Sequence, residues 1–223
     1  MRLNPIDKAE AARYMGIKGE PEPQLSHIID RAELLVRTNI EARYVFREAP
    51  LTFVQDGVKI AGIPKAFGGR DIASHLSGCT RAVVLAATLT SAADKLIRQA
   101  RLTSMADALA VDCICSAAIE QVCDRAEEEI FSQIEAPFRT WRFSPGYGDF
   151  LIQAQRDVLE FLNAARRIGL TVTENSVLIP SKSVTAIIGI ADSSLRKGAK
   201  GCAVCSMRES CAYRSNGGCG SRT

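Results

Sequence analysis

The most informative segment of this 223-residue chain is Trp141-Arg142-Phe143-Ser144-Pro145-Gly146-Tyr147-Gly148-Asp149. A strand pattern leads into it, and Pro145-Gly146 predicts a type II turn, because glycine accepts the positive φ that such a turn requires. This turn would expose backbone groups at a fixed distance from the Arg142 guanidinium, which is a fork that suits carboxylates. The segment therefore favours a ligand with a carboxylate and a heterocycle. The alternative is a solvated arginine beside a common Pro-Gly turn.

Helix and strand patterns are interspersed on both sides of this segment. Apolar residues recur at helical spacing over 6–17, 24–38, 90–101, 103–134 and 149–168, with a short helix over 71–76 that Asp71 would cap. Strands are predicted over 43–63 with a hairpin turn at Asp56-Gly57, and over 81–89, 138–143, 176–179 and 184–190. Because no strict β-α-β rhythm is present, the predicted fold class is α+β, with a mixed, mostly antiparallel sheet flanked by helices.

Two regions differ in composition. Residues 1–195 are predicted to form one domain, whereas residues 196–223 form a Cys-rich basic tail. The chain is 47% hydrophobic and 24% charged with a net charge of +3, which excludes a disordered or collagen-like chain. Aromatic residues make up 6% of it, too few for a base-stacking platform, so we do not expect nucleic-acid binding. Without a membrane-length apolar run or a signal peptide pattern, we expect a cytoplasmic protein that does not enter membranes.

The common catalytic motifs are missing from the sequence. It contains neither GxGxxG nor GxxxxGK[ST], and its two histidines, His27 and His75, leave little room for a zinc hydrolase or a Ser-His-Asp triad. The run His75-Leu-Ser-Gly matches half of the Asp-x-His-x-x-Gly signature that supplies a cobalt ligand to cobalamin. Ala73 stands in place of its Asp, so we interpret the match as a coincidence.

A set of spaced motifs points to one family. Arg142-x-x-Pro145-Gly146-Tyr147 is followed by Thr173-Glu174, then by Pro180 and Ser183-Val184. Together they resemble the reactivation domain of cobalamin-dependent methionine synthase, most strongly over 78–190. The resemblance implies S-adenosylmethionine binding and reductive methylation of cob(II)alamin, in which an added electron yields cob(I) and S-adenosylmethionine traps it as methylcobalamin.

The same resemblance implies roles for individual residues. Arg142 would bind the methionyl carboxylate, whereas Ser144, Pro145 and Gly146 would meet the adenine and the ligand backbone. Tyr147 would lie near the corrin face and is the candidate catalytic residue. No general base is required, because a sulfonium methyl group transfers by in-line displacement once it is held close to cobalt.

Two glutamates are further candidates, since a carboxylate would favour the sulfonium cation. Glu120 ends a polar stripe of Asp112, Ser116 and Glu120 on the predicted long helix, and Glu174 belongs to the Thr-Glu motif. The alternatives are a partly solvated helix face for Glu120 and a strand-end ion pair for Glu174. Lys182 and Ser183 are interpreted as structural.

The implied reaction needs partners. We expect no corrinoid domain in this chain, so the resemblance implies a separate cobalamin-binding methyltransferase protein and an electron donor such as flavodoxin or ferredoxin. The chain would then be an accessory subunit in methionine biosynthesis. The alternative is a non-catalytic corrinoid-protein partner or S-adenosylmethionine-binding module that has lost methyl transfer, because the family's aromatic-rich C-terminal end has no match here. A third hypothesis is an electron carrier with a metal-binding tail, for which 142–147 would be incidental.

The eight cysteines fall into two groups. Four stand singly in apolar stretches and are predicted to be buried thiols: Cys79, Cys113, Cys115 and Cys123. The other four crowd the tail and begin with a CxxC, a spacing that suits zinc or two corners of an iron–sulfur cluster: Cys202, Cys205, Cys211 and Cys219. The alternatives for the tail are a redox-active thiol segment and no role at all.

Overall fold

The protein is described by a computed structural model that covers residues 1–195. These residues confirm the predicted α+β class. The helices are α1 (Lys8–Tyr14), α2 (Pro23–Asn39), α3 (Arg70–His75), α4 (Thr90–Thr103), α5 (Met105–Phe131), α6 (Ala154–Leu162) and α7 (Ala164–Ile168). The strands are β1 (Arg43–Val54), β2 (Gly57–Ile60), β3 (Phe67–Gly68), β4 (Arg81–Thr88), β5 (Phe138–Arg139), β6 (Thr171–Val172), β7 (Leu178–Ile179) and β8 (Ser183–Ala191).

Six strands form one sheet in the order β3-β2-β1-β4-β8-β5, and β6 and β7 form a separate hairpin. The pairs β1–β2, β2–β3 and β5–β8 are antiparallel. Backbone bonds flank the pairing of β4 with β8: Thr80 N–H donates to Ile190 O, and Leu89 N–H donates to Lys182 O. Residue numbers decrease along β8 as they increase along β4, so these two strands are also antiparallel.

Burial explains the order of the strands. β4 and β8 are buried along nearly their whole length, as their continuous apolar sequences require of strands at the centre of a sheet. The outer part of β1 alternates between buried Leu51 and exposed neighbours. The hairpin between β1 and β2 forms where it was predicted, but its turn is Gln55-Asp56 and not Asp56-Gly57, because Gly57 already pairs with Val54 as the first residue of β2.

The described chain divides into two compact units. The first, here called the helical unit, comprises Met1–Phe46, Ala86–Ile134 and Leu162–Val184. Its core lies between α5 and the helices α1, α2 and α4. Alanine and cysteine line much of α5, and small side chains let the neighbouring helices approach it closely. Ser104 caps this helix by accepting from the Asp107 N–H at 3.0 Å.

The second, here called the sheet unit, comprises Arg47–Leu85, Glu135–Phe161 and the described residues from Thr185 onward. Aromatic rings build part of its core, with Phe150 edge-to-face on Phe67 at 5.3 Å and stacked on Phe143 at 6.2 Å. The whole segment 141–149 belongs to this unit.

Two further local predictions were wrong. The helix predicted over 149–168 is two helices, because Asn163 adopts a left-handed conformation, with φ 52°, between α6 and α7. Asp71 does not cap α3. The N-cap is Gly69, and Asp71 lies in the first turn. The prediction of a single domain over 1–195 stays a prediction.

The four cysteines of the body are buried and free of disulfides, which confirms the prediction for Cys79, Cys113, Cys115 and Cys123. Burial raises the pKa of Cys79 to about 11 and that of Cys115 to about 12, so these side chains stay protonated thiols at neutral pH. Within residues 1–195, no helix combines the length and the apolar character needed to span a membrane.

Candidate functional site

The strand that carries Arg142 is bulged. Arg139 pairs with Ile190 in β8, and Thr140 N–H donates to Gly189 O at 3.0 Å. The chain pairs with β8 again at Phe143, which is joined to Ile187 by two backbone bonds of 3.0 and 2.9 Å. Four residue steps on one strand therefore face three on the other, so one extra residue is accommodated between Arg139 and Phe143. Such bulges redirect side chains and are frequent beside functional sites. The predicted strand over 138–143 is thus present but interrupted at the residues next to Arg142.

The predicted type II turn follows directly. Tyr147 N–H donates to Ser144 O at 3.1 Å across Pro145-Gly146, and Gly146 has the φ of +94° that this turn type requires. Gly146 N–H donates to Phe150 O at 2.7 Å, and Phe150 N–H donates to Tyr147 O at 3.0 Å. These bonds use the N–H groups of Gly146 and Tyr147 inside the turn. A ligand at the turn would therefore be met by carbonyl oxygens rather than by these two donors.

The far end of the segment is attached to the start of α3. The Asp149 carboxylate accepts from the N–H groups of Arg70 at 2.8 Å and Asp71 at 3.0 Å. The Asp71 carboxylate accepts in return from the Asp149 N–H at 3.1 Å. Gly148, with φ +54°, allows this approach, because a Cβ there would overlap the Asp71 carboxylate.

The near end of the segment packs on the last residue of the same helix. His75 Nε2 lies 2.9 Å from Trp141 O, and since a carbonyl only accepts, this nitrogen carries the proton. The imidazole stacks on the Phe143 ring at 4.7 Å and meets the Trp141 ring edge-on at 4.6 Å. Burial lowers the pKa of His75 to about 4, so the ring is neutral at pH 7.

Five of the predicted site residues are neighbours in the sequence and lie together in one short segment: Arg142, Ser144, Pro145, Gly146 and Tyr147. Arg142 is half-buried, whereas the Tyr147 side chain is 49% exposed and meets Phe143 edge-on at 5.8 Å. A side chain that is both exposed and braced by a neighbouring ring can present an apolar face to a large planar ligand.

The two predicted glutamates lie in the helical unit. Glu120 is half-buried on α5 and close to Tyr14: burial and the Glu10 carboxylate raise the pKa of that phenol, and the Glu120 charge adds to the rise. Glu174 is exposed in the turn that joins β6 to β7.

Two residues of the polar stripe on α5, Asp112 and Ser116, contact Lys182, which belongs to the same helical unit. Lys182 Nζ lies 2.9 Å from Asp112 Oδ2 and donates to Ser116 Oγ at 2.9 Å, and the lysine side chain is only 15% exposed. The Ser183 hydroxyl donates to the Pro180 carbonyl at 2.7 Å, and its oxygen lies 2.8 Å from the Thr88 hydroxyl oxygen, from which it can accept. Asp112 thus already faces a cation, and the contacts of Lys182 and Ser183 agree with a structural role.

The predicted metal ligands Cys202, Cys205, Cys211 and Cys219 lie outside the described residues. Among residues 1–195, no group of three or more His, Cys, Asp or Glu side chains is placed to hold a metal ion.

The α+β fold has a counterpart among solved structures. One structure that it resembles is that of the MetH reactivation domain bound to AdoHcy, with a TM-score of 0.64 and 14% sequence identity over 86% of this chain and 76% of that one. At this identity the similarity establishes a shared fold. No protein-family model and no curated protein matches the sequence.

Sequence reasoning missed the contribution of α3. The reciprocal bonds of Asp71 and Asp149 join residues 78 positions apart, and no local pattern reports such a pair. His75 drew notice only for a partial cobalamin signature, whereas the structure places it against Trp141 and Phe143. The only sequence signal for this contact was the position of His75, two residues after the apolar pair Ile72-Ala73.

Proposed function

We propose that this protein binds S-adenosylmethionine at segment 141–149 and supports reductive methylation of a corrinoid carried by a separate protein. The observation that carries the proposal is the position of Arg142, in a bulged strand two residues before the hydrogen-bonded type II turn at 144–147. The shared fold with a domain whose structure contains AdoHcy supports it. AdoHcy is the demethylated product of this ligand.

The chemistry of the segment fits the ligand. The guanidinium of Arg142 offers a carboxylate two parallel donors, which a lysine could not. Because the N–H groups of Gly146 and Tyr147 are used within the turn, its carbonyl oxygens are the groups that would accept from the exocyclic amine of adenine. The carboxylate and the adenine, at opposite ends of the ligand, would thus both be bound by groups within segment 141–149.

The chain contributes orientation rather than acid–base catalysis. Bound S-adenosylmethionine supplies an electrophilic methyl group to reduced cobalt, and S-adenosylhomocysteine leaves as the carbon–sulfur bond breaks. Tyr147, half exposed and braced by Phe143, would face the corrin and help to exclude water from the path of the methyl group. Fixing the angle and distance of the reacting groups supplies much of the acceleration in such displacements.

Partners follow from the reaction. A cobalamin-binding methyltransferase protein would bring the corrinoid, and a donor such as flavodoxin or ferredoxin would supply the electron. We also retain the proposal that the tail cysteines bind zinc or an iron–sulfur cluster. A cluster would suit a protein that passes an electron to cobalt.

One observation favours a second candidate function. After β8, which ends at Ala191, the sequence leads into the Cys-rich tail, and residues 192–223 do not match the aromatic-rich segment of the methionine synthase domains. Ligand binding without methyl transfer would be the result if that end is essential to the reaction.

Two measurements separate these functions. Calorimetry with S-adenosylmethionine tests binding, with Arg156→Ala, an exposed arginine on α6, as the control for loss of a positive charge. Incubation with a cob(II) partner protein and a reductant, followed in the visible spectrum, tests methyl transfer. Binding with conversion supports the reactivation function, and binding without conversion supports the second candidate. No binding overturns both.

A further inference from the structure

His75 contains a buried polar atom that lowers stability. If this residue served only for packing, an apolar ring could fill the space without that penalty. Its Nδ1 atom is buried and has no hydrogen-bond partner within residues 1–195. A buried polar atom left unpaired is destabilising, and a phenylalanine ring of similar shape would remove that penalty. The compensating contact is the Nε2–H, which donates to the carbonyl of Trp141 at 2.9 Å.

The contacts of His75 fall on both sides of Arg142. Its ring meets Trp141 edge-on and stacks on Phe143 at an interplanar angle of 26°. The hydrogen bond fixes the backbone before the arginine, and the stacking fixes the side chain after it. One residue therefore restrains both neighbours of the proposed carboxylate-binding group.

The same helix holds the other end of the segment. Asp71 lies one helical turn before His75 and accepts from the Asp149 N–H, while Asp149 accepts from the N–H groups of Arg70 and Asp71. Helix α3 is thus attached to the segment at positions 141, 143 and 149, with Arg142 and the turn between them. Two attachments on one rigid element set the distance between the groups in the loop.

We propose that His75 is a positioning residue: through Trp141 and Phe143 it acts with the Asp71–Asp149 pair to hold Arg142 and the 144–147 turn at the separation that the ligand requires. The proposal rests on the proposed function and adds to it a residue that does not itself contact the ligand. Restraint of this kind improves affinity by reducing the entropy lost on binding.

His75→Phe separates positioning from stability. The variant keeps an aromatic ring against Phe143, removes the unpaired Nδ1, and leaves the Trp141 carbonyl with the hydroxyl of Thr140, which donates to it at 3.2 Å. We expect an unchanged or raised melting temperature. Because the Nε2–H bond is lost, we expect affinity for S-adenosylhomocysteine to fall about tenfold, the scale of one hydrogen bond.

Two further variants complete the design. His75→Gln places a side-chain N–H near the position of Nε2 and should recover most of the lost affinity. Ser74→Ala, an exposed neighbour on the same helix, should match the wild type.

The test combines calorimetry with amide hydrogen exchange of the ligand-free full chain. The proposal expects faster exchange in 141–150 of His75→Phe and unchanged exchange in 105–131. Equal exchange in 141–150, or faster exchange everywhere with a lower melting temperature, would overturn it. So would unchanged affinity for S-adenosylhomocysteine in a variant that loosens the segment. If the wild type does not bind this probe, the proposed function fails, and the exchange data still decide whether His75 orders the segment.

Discussion

Asp71 and Asp149 cap each other: each carboxylate accepts a hydrogen bond from the backbone N–H of the other residue, at 3.0 and 3.1 Å. The two residues are 78 positions apart, so the pair joins α3 to the end of the segment that contains Arg142. Both side chains are at least partly exposed, and each of the two bonds runs from a neutral backbone N–H to a carboxylate oxygen.

The reciprocal hydrogen bonds of Asp71 and Asp149 require the close approach that Gly148 allows. Gly148→Ala would place a Cβ against the Asp71 carboxylate, in addition to the strain of its positive φ. We expect the free energy of unfolding to fall by about 2 kcal/mol, as measured by urea denaturation.

Gly169→Ala is the matched control, because Gly169 also has a positive φ, of +73°, but no atom within 4 Å of the added Cβ. It should show the backbone penalty alone, about 1 kcal/mol. Equal losses in the two variants would mean that the Asp71 contact does not constrain residue 148.

The burial of His75 predicts a stability component that depends on pH. Its pKa is about 4 in the folded protein against an ordinary 6.5, so between these values the unfolded chain binds the additional proton. Stability therefore falls as the pH is lowered, and this group alone should cost about 2 kcal/mol between pH 7 and pH 5.

The measurement is urea denaturation of the wild type and His75→Phe at both pH values. Carboxylates contribute equally to both proteins, so the difference between their pH slopes isolates the histidine. Parallel slopes would show that the imidazole is not buried as described.

The tail makes a prediction that needs only metal analysis. If Cys202, Cys205, Cys211 and Cys219 bind zinc or an iron–sulfur cluster, protein purified without oxygen should contain about one metal centre per chain. The double variant Cys202→Ser/Cys205→Ser should lose it, whereas Cys113→Ser, in the buried set, should retain it. Metal-free wild-type protein would remove the metal hypothesis and leave a thiol tail.

Much of the architecture could be predicted from local patterns. Helical spacing gave α2 and α4 within two residues of their bounds, and the apolar run at 81–89 gave the central strand β4. The type II turn at Pro145-Gly146 was also predictable, because it is encoded by two adjacent residues.

The remainder depends on contacts distant in sequence. The bulge beside Arg142 is defined by the register against β8, and the role of His75 depends on burial by Trp141 and Phe143. The break at Asn163 reflects a left-handed conformation that the helical spacing on either side conceals. In each case tertiary packing overrides or completes the local signal.

Arg142→Ala should weaken S-adenosylmethionine binding by about 1–3 kcal/mol, the usual contribution of a charge-assisted contact. Calorimetry checks this, and the variant should keep the wild-type melting temperature within a few degrees because Arg142 is not part of the buried core. Arg156→Ala should bind as the wild type does. A similar loss in both variants would point to general attraction by positive charge instead of a specific contact.

The most direct test of the account is a crystal structure of the protein grown with S-adenosylhomocysteine. We predict electron density for the ligand along segment 141–149, with its carboxylate paired to the Arg142 guanidinium and its adenine against the turn at 144–147. Density for the ligand at another surface, or an empty segment at saturating concentration, would contradict the central claim.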